Sequence, residues 1–570
     1  MDFPCPTRRR DVLLRSLLPI LAVSALLPGT SARAAERPNI LVILADDLGY
    51  SDIGCYGGEI RTPNLDALAA DGLRFTRFYN ATRCCPSRAS LLTGLYPHQA
   101  GVGDMTGDDG PRMPGYRGHL TERCATIPEA LRSARYRTYM VGKWHLSPNP
   151  GPIRRGFDEF YGMIGGFNSF WQEDPSYTRL PAGRPKRKYP AGGFYSTDAF
   201  ADYALDFLAD SRRDAGRPWF LYLAFNAPHF PLHAPREEVD RYAPIYAKGW
   251  DAIREDRLSR MRRLGIVGAE TPLTPRSDWH HPFQHKDGVN PAWDSLPADR
   301  RADLARRMAI FAAMVEHMDG AIGRVVSSLK EHGQLDNTLI LFLSDNGACA
   351  EWDPLGFDVA TGPKTTNVLH AGAGLATMGG PGTYHSYGSG WANASNTPWR
   401  LYKHDAHEGG ISTPLIAHWP AGLKRRGELE ASVGHIADVM ATCVDVSGAR
   451  YPAVAAGREI LPMEGRSLLP AARGKPAAPR VLFWEHEGNR AARDGRWKLV
   501  ARKGQPWELY DVEADRAELH DLSAREPDSV ARLAKAWDDW AARCFVIRES
   551  APSGAGKASP KPVNPGGSRP

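Results

Sequence analysis

The fold is decided by one apolar stretch near the start of the chain, Asn39-Ile40-Leu41-Val42-Ile43-Leu44-Ala45-Asp46-Asp47. Its apolar residues are continuous and do not alternate with polar ones, which is typical of a strand buried on both faces of a parallel sheet. Three later runs have the same character, and each leads into charged or amide side chains: Thr138–Gly142, Trp219–Phe225 and Thr338–Ser344. These four runs predict a buried sheet whose strand ends carry the chemistry.

Helical patterns separate these strands along the chain. They cover Asn64–Leu73, Thr126–Ser133, Asp198–Arg212 and Arg301–Lys330. Strands that alternate with helices predict an α/β fold, in which a large and mainly parallel sheet is covered by helices on both faces. Because ligands bind beyond the carboxyl ends of the strands in such sheets, we expect the polar groups that follow the four runs to form one site.

The composition is that of an ordinary globular protein. The 570 residues are 42% apolar and 24% charged, which is enough to form a large core. The net charge of +6 is scattered along the chain and is not gathered with aromatic residues on one segment, so nucleic acid binding is not indicated. Eight cysteines in this length are too sparse for a disulfide scaffold.

The N-terminus has the features of a targeting signal. Three arginines, Arg8–Arg10, precede the apolar run Leu17–Leu27, and small residues follow at Ala32 and Ala34. Paired arginines here resemble a twin-arginine export signal, although an ordinary secretory signal or an uncleaved anchor has the same general pattern. Because the apolar run is short for a bilayer span, we predict a cleaved signal over 1–35 and an exported protein, periplasmic or secreted, without stable membrane association.

Changes in composition divide the rest of the chain. We predict a main domain over 36–475, a small antiparallel subdomain with one helix over 476–548, and a disordered tail over 549–570. The charged segment Arg236–Arg301 has no clear strand pattern and is interpreted as an insertion over the sheet edge. The Gly- and Ser-rich segment 362–397 is interpreted as a functional loop. The subdomain is expected to contain three strands: Val481–Glu485, Arg496–Ala501 and Trp507–Tyr510.

The strand ends supply a set of hard oxygen ligands. Asp46 and Asp47 follow the first run, and Asp345 and Asn346 follow the last. Carboxylate and amide oxygens without thiolate or imidazole suit Ca²⁺ or Mg²⁺ better than zinc. A divalent cation with lysines and an arginine describes a site for a tetrahedral oxyanion, which is a sulfate or a phosphate ester. The cationic and proton-transfer groups that accompany the ligands are Arg88, Lys143, His145, His229 and Lys403.

A candidate nucleophile, Cys84, lies in the stretch Thr82–Gly94. Pro86 suits the first turn of a helix and Gly94 suits its end, so Cys84 is expected at a helix N-terminus, which favours an anion. The neighbouring arginines would make a thiol there acidic and reactive. Two adjacent cysteines that are inert or disulfide-bonded are the alternative. A thiolate is also a poor match for a hard sulfuryl or phosphoryl centre beside Ca²⁺.

The same stretch resembles a family signature. The C-x-P-x-R…L-T-G signature of type I sulfatases is matched by Cys84-Cys85-Pro86-Ser87-Arg88 and Leu92-Thr93-Gly94. The chain therefore resembles a type I sulfatase of the alkaline phosphatase-like superfamily, from about Arg37 to its C-terminal helix. Further family blocks follow in family order, although Arg135 stands where Gly is more usual: Asn39–Gly49, Tyr139–His145, Ala227–Pro231, Ser344–Gly347 and Lys403–Gly410.

The resemblance implies roles for these residues. In the family, a formylglycine-generating enzyme oxidises the first Cys of the signature, which implies a formylglycine at Cys84 whose hydrate attacks sulfur. Arg88 and His145 would orient and deprotonate the hydrate. Lys143 and Lys403 would neutralise charge on the sulfuryl oxygens, and His229 with Lys403 would stabilise the leaving oxygen. The resemblance also implies one Ca²⁺, or less readily Mg²⁺, bound by Asp46, Asp47, Cys84 in its oxidised form, Asp345 and Asn346.

The sequence leaves alternatives open. The nearest is a phosphodiester or phosphonate monoester hydrolase, because related enzymes use the same nucleophile, metal and fold. A binding module without turnover, or a redox protein that uses Cys84 and Cys85, would belong to a different class. The substrate is expected to be a small-molecule or glycan sulfate ester. Its leaving alcohol is expected to contact three segments whose aromatic residues can stack on a ring: Phe167–Pro175, Arg236–Arg301 and Tyr384–Thr397.

Overall fold

The computed structural model describes residues 37–110, 112–214 and 216–547. The predicted signal at 1–35 and the predicted tail at 549–570 lie outside these residues. In the described part of the chain, no helix combines the length and the apolar character that crossing a bilayer requires.

The described residues form eighteen strands and thirteen α-helices, numbered here in chain order. The strands are β1 Asn39–Ala45, β2 Leu73–Tyr79, β3 Arg137–Lys143, β4 Glu159–Met163, β5 Tyr177–Leu180, β6 Trp219–Ala224, β7 Asp278–His281, β8 Lys286–Val289, β9 Thr338–Ser344, β10 Ser412–His418, β11 Glu428–Glu430, β12 Gly434–His435, β13 Val454–Ala455, β14 Arg458–Glu459, β15 Val481–His486, β16 Asn489–Asp494, β17 Trp497–Ala501 and β18 Glu508–Asp511. The helices are α1 Pro63–Ala70, α2 Cys84–Thr93, α3 Pro97–Ala100, α4 Ile127–Leu131, α5 Ser196–Arg213, α6 Arg236–Tyr246, α7 Gly249–Arg263, α8 Ala298–Glu331, α9 Gly388–Ser395, α10 Glu408–Ile411, α11 Asp438–Ser447, α12 Leu469–Ala472 and α13 Pro527–Arg543.

Ten of the strands form the main sheet, in the order β11-β2-β10-β9-β1-β6-β3-β4-β5, with β12 also paired to β2. The central strands β9, β1, β6, β3 and β4 pair in parallel, whereas β10 and β5 run antiparallel to their neighbours. The four apolar runs of the sequence form β1, β3, β6 and β9. The mainly parallel sheet confirms the predicted fold class.

Helices cover both faces of this sheet, which explains why β1 is apolar at successive positions. Leu41 and Ile43 pack in one core with residues of α5 and α8. Ile40, Val42 and Leu44 pack in a second core with residues of α2 and α11. All five side chains are fully buried, and burial of an aliphatic side chain contributes about 1.5–3 kcal/mol. The two cores therefore hold β1 rigidly where its carboxyl end reaches the sheet edge.

Two segments of the main domain differ from the sequence expectation. The insertion Arg236–Arg301 contains α6, α7 and a hairpin of β7 and β8, although no strand was predicted there. The hairpin strands are polar and mostly exposed, so they carry no apolar alternation. The segment 362–397 is not a continuous loop, because α9 occupies its second half. Gly, Ser and Asn predominate in α9 and are weak helix formers, and burial of the whole helix compensates for them.

The C-terminal sheet has four strands, in the order β15-β16-β17-β18, where three were predicted. The missed strand β16 has the sequence Asn-Arg-Ala-Ala-Arg-Asp, with no β-branched or aromatic residue, so strand propensity gives no signal. Helix α13 covers one face of this sheet with Leu533, Trp537 and Trp540. The other face packs Trp484 against Tyr79 of β2. The small antiparallel sheet with one helix is therefore confirmed.

Candidate active site

The central strands deliver the predicted site residues to one edge of the sheet. Asp46 and Asp47 follow β1, Asp345 follows β9, Lys143 ends β3 and His229 follows β6. Because β1 pairs with β9 and β6, and β3 pairs with β6, these carboxyl ends lie side by side. All ten predicted residues are buried at this edge: Asp46, Asp47, Cys84, Arg88, Lys143, His145, His229, Asp345, Asn346 and Lys403.

Cys84 is the first residue of α2. Gly94 ends the helix in the left-handed region, with φ of 71°, which glycine adopts at little cost. A hydrogen bond from the Cys85 thiol, opposed by burial and supported by Lys143 and His145, holds the pKa of the Cys84 thiol well below its usual range. Cys84 and Cys85 form no disulfide. Position 84 is therefore a buried site for an anion at a helix N-terminus.

Arg88 is fully buried and joins α2 to the sheet edge. Its Nε and Nη2 donate to Oδ2 of Asp345 at 3.1 and 2.8 Å, and its Nη1 donates to the carbonyl oxygen of Lys143 at 2.8 Å. Nη2 also lies 3.6 Å from Oδ1 of Asp46. A planar guanidinium with several fixed partners has little rotational freedom. Arg88 therefore fixes the start of α2 against β3 and β9.

The carboxylates at this edge are incompletely neutralised. Lys143 Nζ donates to Oδ2 of Asp46 at 2.5 Å, yet Oδ1 of Asp46 is buried and accepts no hydrogen bond from the described residues. Burial raises the pKa of Asp46 to about 6, although Lys143 and Arg88 oppose this. Burial, and then the charge of Asp46, raise the pKa of Asp345 to about 8. Protein cations alone therefore do not fully offset the effect of burial on these two carboxylates.

Asp47 has a more cationic environment. Lys403 Nζ lies 2.9 Å from its Oδ1, and Asn346 Nδ2 donates to the same oxygen at 2.7 Å. His229 Nε2 lies 3.5 Å from Oδ2. Burial opposes ionisation, but Lys403 and His229 hold the pKa of Asp47 below its usual range.

The charged residues at this edge are referred to together below. We call them the strand-end cluster, and its members are Asp46, Asp47, Arg88, Lys143, Asp345 and Lys403.

The donors at this edge fit a hard divalent cation. Oδ1 of Asp46 and Oδ1 of Asn346 are both buried, and neither has a hydrogen-bond partner in the described part of the chain. Carboxylate and amide oxygens are the ligands that Ca²⁺ prefers. A nearby cation also favours the ionised form of a carboxylate, which would offset the raised pKa values of Asp46 and Asp345. One bound cation would therefore account both for the two unpaired oxygens and for the two raised pKa values.

Two histidines flank the strand-end cluster. Burial lowers the pKa of both His145 and His229 to about 4, so both are neutral near pH 7. Nδ1 of His229 lies 2.6 Å from the carbonyl oxygen of Phe230, which fixes the ring. A Cβ on Gly166 would lie 2.6 Å from Nε2 of His145. Gly166 therefore allows the loop after β4 to approach this imidazole.

Two acidic residues that the sequence did not single out lie at the mouth of the site. Glu351 Oε1 lies 3.7 Å from Lys403 Nζ and 3.4 Å from His404 Nε2. Glu487 Oε2 lies 2.8 Å from His404 Nδ1, and its other oxygen pairs with Arg83. Glu487 comes from the turn between β15 and β16, so the C-terminal sheet contributes to the mouth. No local sequence motif marks either residue.

Comparisons with known proteins agree with this geometry. The sulfatase family pattern matches residues 38–449. An uncharacterised sulfatase of Schizosaccharomyces pombe is 35% identical over 545 residues, which cover 90% of this chain and 95% of that protein. An arylsulfatase of Klebsiella aerogenes is 35% identical over 469 residues, which cover 78% of this chain and 95% of that protein.

A solved structure supports the same conclusion at the level of the fold. The crystal structure of Ps i-CgsB in complex with k-i-k-neocarrahexaose has a TM-score of 0.61 and 25% identity, and the match covers 88% of this chain and 92% of that one. The parallel sheet, the signature helix α2 and the oxygen donors at the strand ends occur together in one chain. The chain belongs to the sulfatase family and is a type I sulfatase with the alkaline phosphatase-like fold, a hydrolase of sulfate esters.

Proposed function

We propose that this sulfatase is of the arylsulfatase type and that it hydrolyses its ester through a formylglycine made from Cys84. The position of Cys84 is the main support, because it lies buried at the start of α2 beside Arg88, Lys143 and the oxygen donors. A thiolate is a poor partner for a sulfuryl centre, whereas the hydrated aldehyde offers two hydroxyl groups at the same point. Similarity to an arylsulfatase over most of its length supports the aryl type.

We infer that the cation is one Ca²⁺ per site. When bound, it would stabilise negative charge on the transferred group and lower the pKa of the attacking hydroxyl. Mg²⁺ is the weaker candidate because it requires a stricter octahedral geometry. The residues that would hold the cation are Asp46, Asp47, residue 84, Asp345 and Asn346.

The other residues of the site would orient the reactants and move protons. Arg88 and His145 would orient the hydrate at position 84, and neutral His145 can accept a proton from it. Lys143 and Lys403 would neutralise charge that develops on the sulfuryl oxygens. His229 lies beside Asp47 and Lys403 and would stabilise or protonate the leaving oxygen. One hydroxyl of the hydrate would attack sulfur while the bond from sulfur to the leaving alcohol oxygen breaks. Deprotonation of the other hydroxyl would then break the carbon–oxygen bond to sulfate, release sulfate and restore the aldehyde.

The proposed maturation requires access to Cys84 before folding. Every residue of α2 is buried in the folded protein, so a formylglycine-generating enzyme would act before α2 packs. A twin-arginine route exports folded proteins and would require oxidation before export, whereas a secretory route would require it on the unfolded chain. Replacing Arg9 and Arg10 with lysines tests the proposed route to the periplasm or the medium, and undiminished export contradicts twin-arginine export.

Peptide mass analysis tests the nucleophile. Trypsin cleaves after Arg83 and Arg88 and releases the pentapeptide Cys84–Arg88, in which we expect an aldehyde at position 84 and an unchanged thiol at Cys85. An unmodified pentapeptide from fully active enzyme contradicts the proposal. Cys84→Ser is expected to stop after one turnover, because a serine sulfate ester has no second hydroxyl to expel sulfate. Cys85→Ser is the matched control and should continue to turn over.

Parallel assays test the reaction and the substrate. An aryl sulfate, a phosphodiester, a phosphonate monoester and a glycan sulfate are compared at equal enzyme concentration. Sulfate and phosphate esters differ by one charge at the transferred group, so a single site discriminates between them. We expect the highest kcat/KM with the aryl sulfate. Preference for either phosphorus substrate contradicts sulfatase activity, and preference for the glycan sulfate contradicts the aryl type.

A further inference from the structure

Two phenylalanines with large exposed surfaces lie at the mouth of the site. Phe167 follows β4, Phe283 lies in the β7–β8 hairpin, and each is 43% exposed. The Phe167 ring lies nearly parallel to the His229 imidazole, with ring centres 5.9 Å apart and 13° between the planes. A single exposed apolar residue is common, whereas adjoining aromatic rings with exposed surface beside a site are typical of contact with another molecule. The position of Phe167 beside His229 therefore indicates a contact surface for a bound ligand.

Further rings connect these two phenylalanines along the mouth. Phe167 lies 5.4 Å from Phe230 and 6.3 Å from Tyr384, and Phe283 lies 5.4 Å from Trp352. Phe230 and Phe357 pack in one apolar cluster, against which Trp352 and Tyr384 also pack. We call this row the aromatic belt, and its members are Phe167, Phe230, Phe283, Trp352, Phe357 and Tyr384.

The aromatic belt borders the site at several points. At one end Phe167 contacts His229, which lies 3.5 Å from Asp47. At the other end Trp352 lies 5.6 Å from His404, the residue after Lys403. Between them, the apolar cluster includes Cys349, whose Sγ lies 3.8 Å from Lys403 Nζ. The belt therefore lies on the side of the site where His229 and Lys403 would meet the leaving group.

The two carboxylates near the belt are already paired. Glu351 faces Lys403 and His404, and Glu487 faces His404 and Arg83. A pocket for a sugar needs polar groups that are available to its hydroxyls, in addition to an aromatic ring for its apolar face. Paired carboxylates and a long row of rings favour an aromatic leaving group over a polyhydroxylated one.

We propose that the aromatic belt is an extended leaving-group subsite that selects sulfate esters of two or more aromatic rings over single-ring esters. Phe167 contacts the ring that bears the sulfate, and Phe283 with Trp352 contacts the distal ring. This inference rests on the proposed sulfatase activity and adds the size of the leaving group to it. The three segments expected from the sequence to grip the leaving alcohol each supply one ring of the belt: Phe167, Phe283 and Tyr384.

Steady-state kinetics with phenyl sulfate and naphthyl sulfate test the subsite. We expect kcat/KM to be about tenfold higher for naphthyl sulfate, since a distal aromatic contact is worth about one factor of ten. Phe283→Ala should lower kcat/KM for naphthyl sulfate about tenfold and change that for phenyl sulfate less than twofold. Phe167→Ala should lower kcat/KM for both esters by the same factor. Val289→Ala is the control for the β7–β8 hairpin, because Val289 is exposed and lies outside the belt.

The outcomes separate failure of the subsite from failure of the proposed function. If the wild type hydrolyses neither aryl sulfate but hydrolyses another ester class, the aryl assignment and the subsite both fail. If the wild type hydrolyses both aryl sulfates without a preference for two rings, the subsite alone fails. The subsite also fails if the preference survives Phe283→Ala, or if Val289→Ala removes it. Because Phe283 is exposed, Phe283→Ala should fold normally, and thermal unfolding checks this.

Discussion

The strand-end cluster and a second buried cluster, Glu408, Lys498, Arg516 and Glu518, each contain equal numbers of acidic and basic residues. In the second, which we call the C-terminal ion cluster, Lys498 Nζ lies 3.0 Å from Oε1 of Glu408 and 2.7 Å from Oε1 of Glu518. Arg516 Nε donates to Oε2 of Glu408, and the Glu408 amide donates to Oε2 of Glu518. Every carboxylate oxygen in this cluster therefore lies within 3.0 Å of a cation or a donor, although the contact of Lys498 with Oε1 of Glu518 does not have hydrogen-bond geometry.

In the strand-end cluster, by contrast, one carboxylate oxygen has no close donor. This difference separates a cluster that would bind a ligand from one that only stabilises the fold. Oδ1 of Asp46 has no hydrogen-bond partner among the described residues and lies 3.6 Å from Arg88 Nη2, and burial raises the pKa of Asp46. In the C-terminal ion cluster, Lys498 and Arg516 overcome burial and hold the pKa of Glu408 well below its usual range. The two clusters thus contain equal numbers of acidic and basic residues, but they differ in how completely their carboxylate oxygens are paired. We therefore take a buried carboxylate oxygen without a close donor as the feature of the cluster that would bind an added cation.

The largest effect is expected from Asp46→Asn. The substitution keeps the shape of the side chain but removes the charge that the cation would need, so kcat/KM should fall at least about 10³-fold. Calcium bound per protein, measured by atomic spectroscopy after dialysis, should fall as well. Because the Asp46 carboxylate pairs with buried Lys143, the variant should also lose some stability, and calcium is therefore counted per folded molecule.

Glu408→Gln is the matched control for Asp46→Asn. It removes a buried carboxylate from the cluster in which every carboxylate oxygen lies within 3.0 Å of a cation or a donor, so it should lower stability and leave calcium content per folded molecule unchanged. If Asp46→Asn binds calcium as tightly as the wild type, the spare oxygen is not a ligand. If Glu408→Gln loses calcium selectively, the two clusters do not differ in their part in cation binding.

The next effect in size concerns stability. Lys498→Met removes the cation shared by Glu408 and Glu518 and leaves two buried carboxylates without it, which should cost about 3–5 kcal/mol of unfolding free energy. Lys535→Met is the control, because Lys535 pairs with Asp539 on an exposed face of α13, where a pair contributes about 0.5 kcal/mol or less. Urea unfolding measures both variants. Equal losses of unfolding free energy in the two variants would show that burial does not determine how much an ion pair stabilises the protein.

The strand-end cluster could be predicted from sequence, whereas the acidic residues at the mouth of the site could not. Asp46 and Asp345 each follow a continuous apolar run, and parallel strands bring such ends together by necessity. Glu487 lies 404 residues from Arg83 in the chain, and their contact depends on how the C-terminal sheet packs against β2. Strand β16 supplies one side of that turn and has no strand signal. Local sequence patterns therefore predict which side chains lie at the end of a strand. They do not predict which turn from a distant part of the chain packs beside those side chains.

A third group of charged residues, centred on His317, is expected to make the stability of the protein depend on pH. His317 lies between Asp198 of α5 and Glu238 of α6, at 3.1 and 3.0 Å, with Arg324 beside Asp198 and Tyr195 against the ring. Although burial opposes protonation, the two carboxylates raise the pKa of His317 to about 9. A raised folded-state pKa stabilises the fold fully below the unfolded value of about 6.5 and loses that contribution as pH rises through about 9.

The expected contribution of His317 is on the order of 2–3 kcal/mol. Unfolding free energy, measured by urea at pH 6, 8 and 10, should therefore fall across this range. His317→Gln should be less stable at pH 6 and should show a smaller fall, because its side chain does not titrate. A wild-type profile that is parallel to that of the variant would show that His317 carries no extra charge in the folded state.

The smallest effect is expected at Glu487, where an ion pair lies at the mouth and is partly exposed. Its side chain is 36% exposed and pairs with Arg83 and His404, and such pairs contribute about 1 kcal/mol or less. Because Arg83 precedes Cys84 and His404 follows Lys403, loss of the pair should act mainly on substrate binding. Glu487→Gln should raise KM about two- to fivefold with little change in kcat, and added salt should reduce the difference.

Glu513→Gln is the matched control, since Glu513 pairs with Arg77 at a similar exposure, and its other ionic partner is Arg493. It should affect stability as weakly as Glu487→Gln and leave KM unchanged. A fall in kcat of more than tenfold in Glu487→Gln would place Glu487 with the buried strand-end cluster in its effect on catalysis. A rise in KM alone would show that Glu487 contributes to substrate binding at the mouth and not to the chemical step proposed for the strand-end cluster beneath it.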